Sequence, residues 1–134
     1  MGWESSHLYE FAIGESVYGT QDADFPDDNT LDDRRYKLAK LVNEGDRLRY
    51  TYDFGDSWQH VIAVESIRQC SSDDIADQCA LLSGQRACPP EDVGGAPGYI
   101  DSLEARSEPE SAEGQDMLRW FGGPFEAELF DALR

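Results

Sequence analysis

Seven side chains in this 134-residue sequence, carried by its opening stretch, one turn and one Pro-Gly loop, could do site chemistry together: His7, Asp53, Asp56, His60, Cys88, Glu91 and Asp92. Imidazole, carboxylate and thiolate are ligands for zinc and similar divalent ions. If the turn carrying Asp53 and Asp56 meets the loop carrying Cys88, Glu91 and Asp92, two histidines and several carboxylates surround one point. An ion held there would activate water, and the protein would be a small metal-dependent hydrolase. The spacing does not force that reading, because H-E-x-x-H, C-x-x-C and His-x-His are all missing. A structural role accounts for the same residues. Asp53 and Asp56 can bond turn amides, a carboxylate on the same face can hold His60, and Glu91 with Asp92 can cap the turn or helix after the prolines. The structural role comes first, so no catalytic residue and no cofactor is assigned, and a divalent metal is the alternative. Ser57 or Cys88 with His60 lacks the G-x-S-x-G elbow or a cysteine-protease setting and is set aside.

The elements that must position these groups follow from the apolar period. The opening stretch through Tyr9, Phe11 and Ile13 alternates and is a strand ended by Gly14. QDADFPDDNTLDD (residues 21–33) has no period and is an exposed loop, without the Gly and closing Glu of an EF-hand. In YKLAKLVNEG, Leu38, Leu41 and Val42 stand at helical spacing before Gly45, which predicts a short helix with a glycine stop. RLRYTYDF and WQHVIAVESI alternate on either side of Gly55-Asp56, a β-hairpin. Closed around those two residues, it pairs 53 with 58 and 51 with 60, which puts Asp53, Thr51, Trp58 and His60 on one face, with Asp53 in hydrogen-bonding reach of His60. A bulge at the glycine would shift this register by one.

Residues 69–87 read as a polar loop with one helical turn. CPPEDVGGAPGY is an ordered, irregular loop, with Gly94 and Gly95, like Gly55, expected at positive φ or in close backbone approach. YIDSLEA, SAEGQDMLRWF and FEAELFDAL then show helical spacing, with Leu118, Phe121, Phe125, Leu129 and Leu133 toward a core. Strands first and helices after indicate α+β, one domain over residues 1–134: an antiparallel or mixed sheet containing a central hairpin, packed by C-terminal helices. Tyr50, Tyr52, Val61, Trp3, Trp58 and Trp120 are the expected core aromatics and aliphatics.

The formal charge is -17, from 28 acidic and 11 basic residues, and both halves share it. Such a surface repels phosphate backbones and acidic lipids, so neither direct nucleic-acid contact nor membrane binding is expected. Arg34, Arg35, Lys37 and Lys40, the densest basic group, sit among Asp27, Asp28, Asp32 and Asp33. No apolar run approaches the roughly 18 residues of a membrane span. With no visible secretory leader and three cysteines that cannot all pair internally, the expected compartment is the cytoplasm.

GWESSHLYEF, YTYDFGDSWQHVIAVE, RACPPEDVGGAPGY and the closing WFGGPFEAELFDAL, in that order, resemble the plasmid pRiA open-reading-frame-three-like family. The resemblance implies an α+β fold with a mixed or antiparallel sheet. It marks Trp3, Gly55, Trp58, Pro89, Pro90, Gly94, Gly95 and Tyr99 as motif residues. Relatives labelled transposon passenger or resolvase-like imply a bacterial, mobile-element setting, but a serine resolvase needs a nucleophilic serine with an arginine cluster, and Arg34-Arg35 in an acidic loop does not supply one. Family members carry a further strand and helix before the Gly-Trp pair, so the chain looks N-terminally shortened. An exposed apolar edge beside Trp3 and Phe11 is then expected, open to a protein partner or a second copy. Relatives also place a cysteine shortly before the Cys-Pro-Pro-Glu-Asp loop. Here Leu81 occupies that place when Gly84 is aligned, with Cys79 two residues away. The function implied is an accessory or protein-interaction module without an activity of its own, and the alternative is the metal-dependent hydrolase.

Overall fold

The computed structural model describes residues 2–20, 29–69, 81–121 and 125–130. The expectations for residues 21–28 of the acidic loop, for the polar stretch 70–80 with Cys70 and Cys79, and for Leu133 lie outside the described residues. The chain groups into two compact units: His7–Asp77, and Met1–Ser6 with Gln78–Arg134. The first holds a sheet and the second two helices, an α+β arrangement.

Among the described residues the sheet has five strands, β1 (Tyr9–Ile13), β2 (Ser16–Gly19), β3 (Thr30–Asp32), β4 (Arg47–Tyr52) and β5 (Trp58–Ala63), in the order β3-β2-β1-β4-β5. It is open, and mixed because β2 and β3 are parallel while the other neighbours are antiparallel. β1 ends at Gly14, as the sequence predicts, and the sheet continues beyond it. Gly14-Glu15 makes a two-residue turn closing on the Ile13↔Ser16 pair, and the chain returns as β2. Four residues, S-V-Y-G, are too few to show a period. β1 is therefore an interior strand, flanked by β2 and β4, so the edge expected beside Phe11 is covered by the chain itself.

One face of the sheet is aromatic. Phe11 lies opposite Tyr18 on one side and Tyr50 on the other, and its ring centroid is 4.8 Å from that of Tyr50. Tyr18 meets Tyr36 edge to face at 5.0 Å. Leu48 and Tyr52 are each 3% exposed, and Tyr18 and Val42 are also buried. Burial of this kind stabilises by about 1.5–3 kcal/mol per large apolar side chain. Val61, expected in the core, is 70% exposed because it falls on the opposite face, across from Arg49.

The helix expected over Leu38–Val42 is a single 3-10 turn, Leu38–Lys40. Its apolar residues do not form one stripe, since Val42 is buried while Leu38 is 53% exposed. Gly45 does stop the segment, but as part of a turn and bulge. Asp46 N–H donates to Asn43 C=O at 3.1 Å, Gly45 N–H to Val64 C=O at 2.7 Å, and Val64 N–H to Asp46 C=O at 2.9 Å. With Gly45 at φ 89° this is a turn running into a G1 bulge, a backbone shape that favours glycine.

In the second unit, α1 (Gly95–Ser107) and α2 (Ala112–Trp120) cover the first two helical stretches. Ser111 caps α2, its hydroxyl accepting from Gly114 N–H at 2.9 Å, an arrangement worth about 1 kcal/mol. α1 begins inside the Pro-Gly loop, where Gly94 (φ 87°) and Gly95 (φ 66°) take the left-handed backbone expected of them. FEAELF forms one turn, Leu129 N–H to Glu126 C=O at 3.0 Å, rather than a helix over its described residues. Phe125 stacks on Phe121 at 5.1 Å, but Leu129 is 60% exposed and Trp120 47% exposed, so neither is a core residue. No helix among the described residues is long and apolar enough to cross a membrane.

Candidate functional site

The hairpin closes one residue away from the expected register. Tyr52 pairs with Trp58, Thr51 with Gln59 and Tyr50 with His60, leaving a five-residue loop, residues 53–57. The left-handed positions are Asp53 (φ 56°) and Ser57 (φ 53°), not Gly55, and Ser57 N–H donates to Asp53 C=O at 2.6 Å. The cause is the Asp53 side chain. Its Oδ1 accepts from the N–H groups of Gly55 at 2.9 Å and Asp56 at 3.3 Å, an Asx turn that draws Asp53 out of the strand. His60 therefore shares a face with Tyr50, its ring 5.5 Å away, and the expected Asp53–His60 pair does not form.

Asp53 is 8% exposed and turns to the other histidine. Its Oδ2 lies 3.7 Å from His7 Nδ1, and the His7 ring meets Tyr52 edge to face at 5.9 Å. β1 and β4 fix this approach, because Asp53 N–H donates to Leu8 C=O at 2.9 Å in continuation of their ladder. An imidazole and a carboxylate thus stand side by side at one end of the sheet.

The other candidates belong to the second unit. Glu91 ties down the N-terminal segment, accepting from Glu4 N–H at 2.8 Å and from the Ser6 hydroxyl at 2.9 Å, while Trp3 Nε1 donates to Pro89 C=O at 2.8 Å. The N-cap of α1 is Gly94, without a side-chain bond. Asp92 adopts φ 56° within this loop. Cys88 is a free, half-buried thiol that burial pushes up, so the reactive thiolate is scarce near neutral pH. Tyr99 is pushed up for the same reason and packs edge to face on Phe125 at 6.2 Å.

A feature outside the expected set is the free side of β5. The Val64–Asp46 bond sets the alternation: Ile62, His60 and Trp58 exchange bonds with β4, and the N–H and C=O groups of Gln59, Val61 and Ala63 point away from it. Among the described residues no strand pairs with that side. The six residues WQHVIA contain no Lys, Pro or acid, the usual protections of an edge. That uncharged run in an acidic chain was the signal available in the sequence.

The open mixed sheet with two following helices defines an α+β protein whose recognisable surfaces are a strand edge and an aspartate-centred turn. The chain belongs to the plasmid pRiA4b ORF-3-like protein family, whose model matches residues 1–134. It is 36% identical over 124 residues to the uncharacterized protein y4hQ of Sinorhizobium fredii, covering 91% of this chain and 62% of that relative's length. A crystal structure of a protein of unknown function, MM3350, from Methanosarcina mazei Go1 superposes with a TM-score of 0.81 at 31% identity, covering 99% of this chain and 75% of the other. These relatives carry no assigned activity and lend the hydrolase alternative no support.

Proposed function

We propose that this chain is a protein-interaction module that receives an extended segment of a partner along β5. One observation carries the proposal: the outward backbone groups of Gln59, Val61 and Ala63 form an uncharged edge, with Val61 70% exposed beside them. Unpaired strand edges bind by adding a strand, with main-chain bonds giving affinity and alternate side chains giving selectivity. Panning a library of linear peptides against the intact chain tests this. Binders should be lost in Val61→Pro, which removes an outward N–H and leaves the β4 ladder intact. Binders that persist in that variant place the surface elsewhere. The compartment that suits the module is the cytoplasm, and the free thiol of Cys88 fits a reducing environment.

A second reading is favoured by the 3.7 Å approach of His7 Nδ1 and Asp53 Oδ2, a spacing at which both can bind one cation. Zinc titration followed by the His7 ring resonances checks it. Saturable shifts that vanish in Asp53→Asn support a cation site, and resonances unmoved by zinc refute it.

A further inference from the structure

We infer that the segment received by β5 is acidic, with carboxylates on one face and apolar side chains on the other; this rests on the edge-strand reading above. Strand addition continues both faces of the sheet, so the residues beside the edge set the partner's chemistry. On the aromatic face the edge presents Trp58, His60 and Ile62, with Ile62 38% exposed. Apolar side chains on the incoming strand extend that surface. On the other face Arg49 stands directly across from Val61, and Arg47 across from Ala63.

Both arginines are exposed, and neither makes an ion pair among the described residues. Four other arginines are matched, Arg34 and Arg35 with Asp32, Arg86 with Glu128 and Arg119 with Asp116, while Arg106 lies over the Phe125 ring and Arg68, like Arg47 and Arg49, makes no ion pair among the described residues. Arg47 and Arg49 are the ones placed across from β5, beside its outward edge. An added strand would lie about 9.6 Å from β4, two strand spacings, a gap that an arginine and a glutamate span together over the small Val61 and Ala63 side chains. On this face Glu10 lies toward the far end, opposite Thr51, whose hydroxyl donates to it at 3.5 Å.

A second copy of the chain fits less well. Pairing β5 with β5 would bring two Arg47 and two Arg49 to one face with no facing carboxylate, between molecules that each carry -17. A basic segment would meet the same two cations.

The test uses two dye-labelled nine-residue peptides, one alternating Val with Glu and one alternating Val with Lys. Binding is read by anisotropy against the wild-type chain, Val61→Pro and the double variant Arg47→Glu/Arg49→Glu. Circular dichroism and exchange of the β4 amides verify that each variant is folded. The wild type should bind the Glu peptide at least about fivefold more tightly than the Lys peptide, and added salt should shrink the difference. The double variant should reverse the order. Failure of the wild type to bind the Glu peptide, equal binding of both peptides, or a preference unchanged in the double variant overturns the inference. Equal binding abolished by Val61→Pro overturns only the acidic chemistry and leaves the edge reading standing. Binding retained in Val61→Pro overturns both. A dimer in sedimentation that Val61→Pro dissolves replaces the acidic segment with a second copy.

Discussion

At the scale of single residues, Asp53 decides more than any other side chain. It is buried and left-handed, accepts two turn amides and faces His7, so one carboxylate sets both the hairpin register and the neighbour of an imidazole. Asparagine keeps the Oδ1 acceptor and tolerates left-handed backbone, whereas alanine does neither. Asp53→Asn should therefore cost under about 1 kcal/mol and Asp53→Ala about 1–3 kcal/mol in chemical denaturation. Equal costs would show that the Asx turn is not what holds the loop. That aspartate was identified from the sequence as a turn residue that bonds amides. That His7, itself a candidate, and not His60 stands beside it was not, because the partner depends on a strand pairing more than 40 residues apart in the chain.

At the scale of elements, the β4–β5 ribbon ties the fold to the proposed function. Its two backbone sides are distinct: even-numbered residues of β5 bond β4, and odd-numbered ones face outward. Proline at Val61 should lower stability by about 1 kcal/mol or less, while proline at Ile62 removes a ladder bond and should cost about 3 kcal/mol or more. Thermal or urea unfolding of both variants checks the register itself, and a larger loss for Val61→Pro would mean the outward and inward sides are exchanged. The hairpin was evident in the alternation of RLRYTYDF and WQHVIAVESI. Its register was not, since shifting the pairing by one residue leaves each strand's own pattern unchanged and only the turn chemistry chooses between them.

At the scale of the whole molecule, the charge of -17 governs encounters. Arg34 and Arg35 are held by Asp32, at 3.0 and 3.3 Å, and the hydrogen bond from Arg34 holds the Asp32 carboxyl below its ordinary value. Two of the four cations in the densest basic cluster of the sequence are thus paired where they stand. Duplex and single-stranded DNA at about 50 mM salt, conditions that favour electrostatic contact, should show no micromolar binding by this chain. Affinity that appears there and falls steeply with salt would show that Arg47 and Arg49 act on phosphate instead of carboxylate.

The sequence by itself determined the α+β class, the β4–β5 hairpin though not its place at the edge of the sheet, the glycine-dependent entry to α1 and the family, because these rest on local period, turn residues and motif order. Tertiary structure alone decided that β1 is interior, that Asp53 serves His7 rather than His60, that Val61, Leu129 and Trp120 are exposed, and that no strand among the described residues pairs with the outer side of β5. The physical reason is common to all four. Strand order, register and burial are set by which distant segments meet, and a chain's local pattern is the same whether a given edge or face is covered or bare.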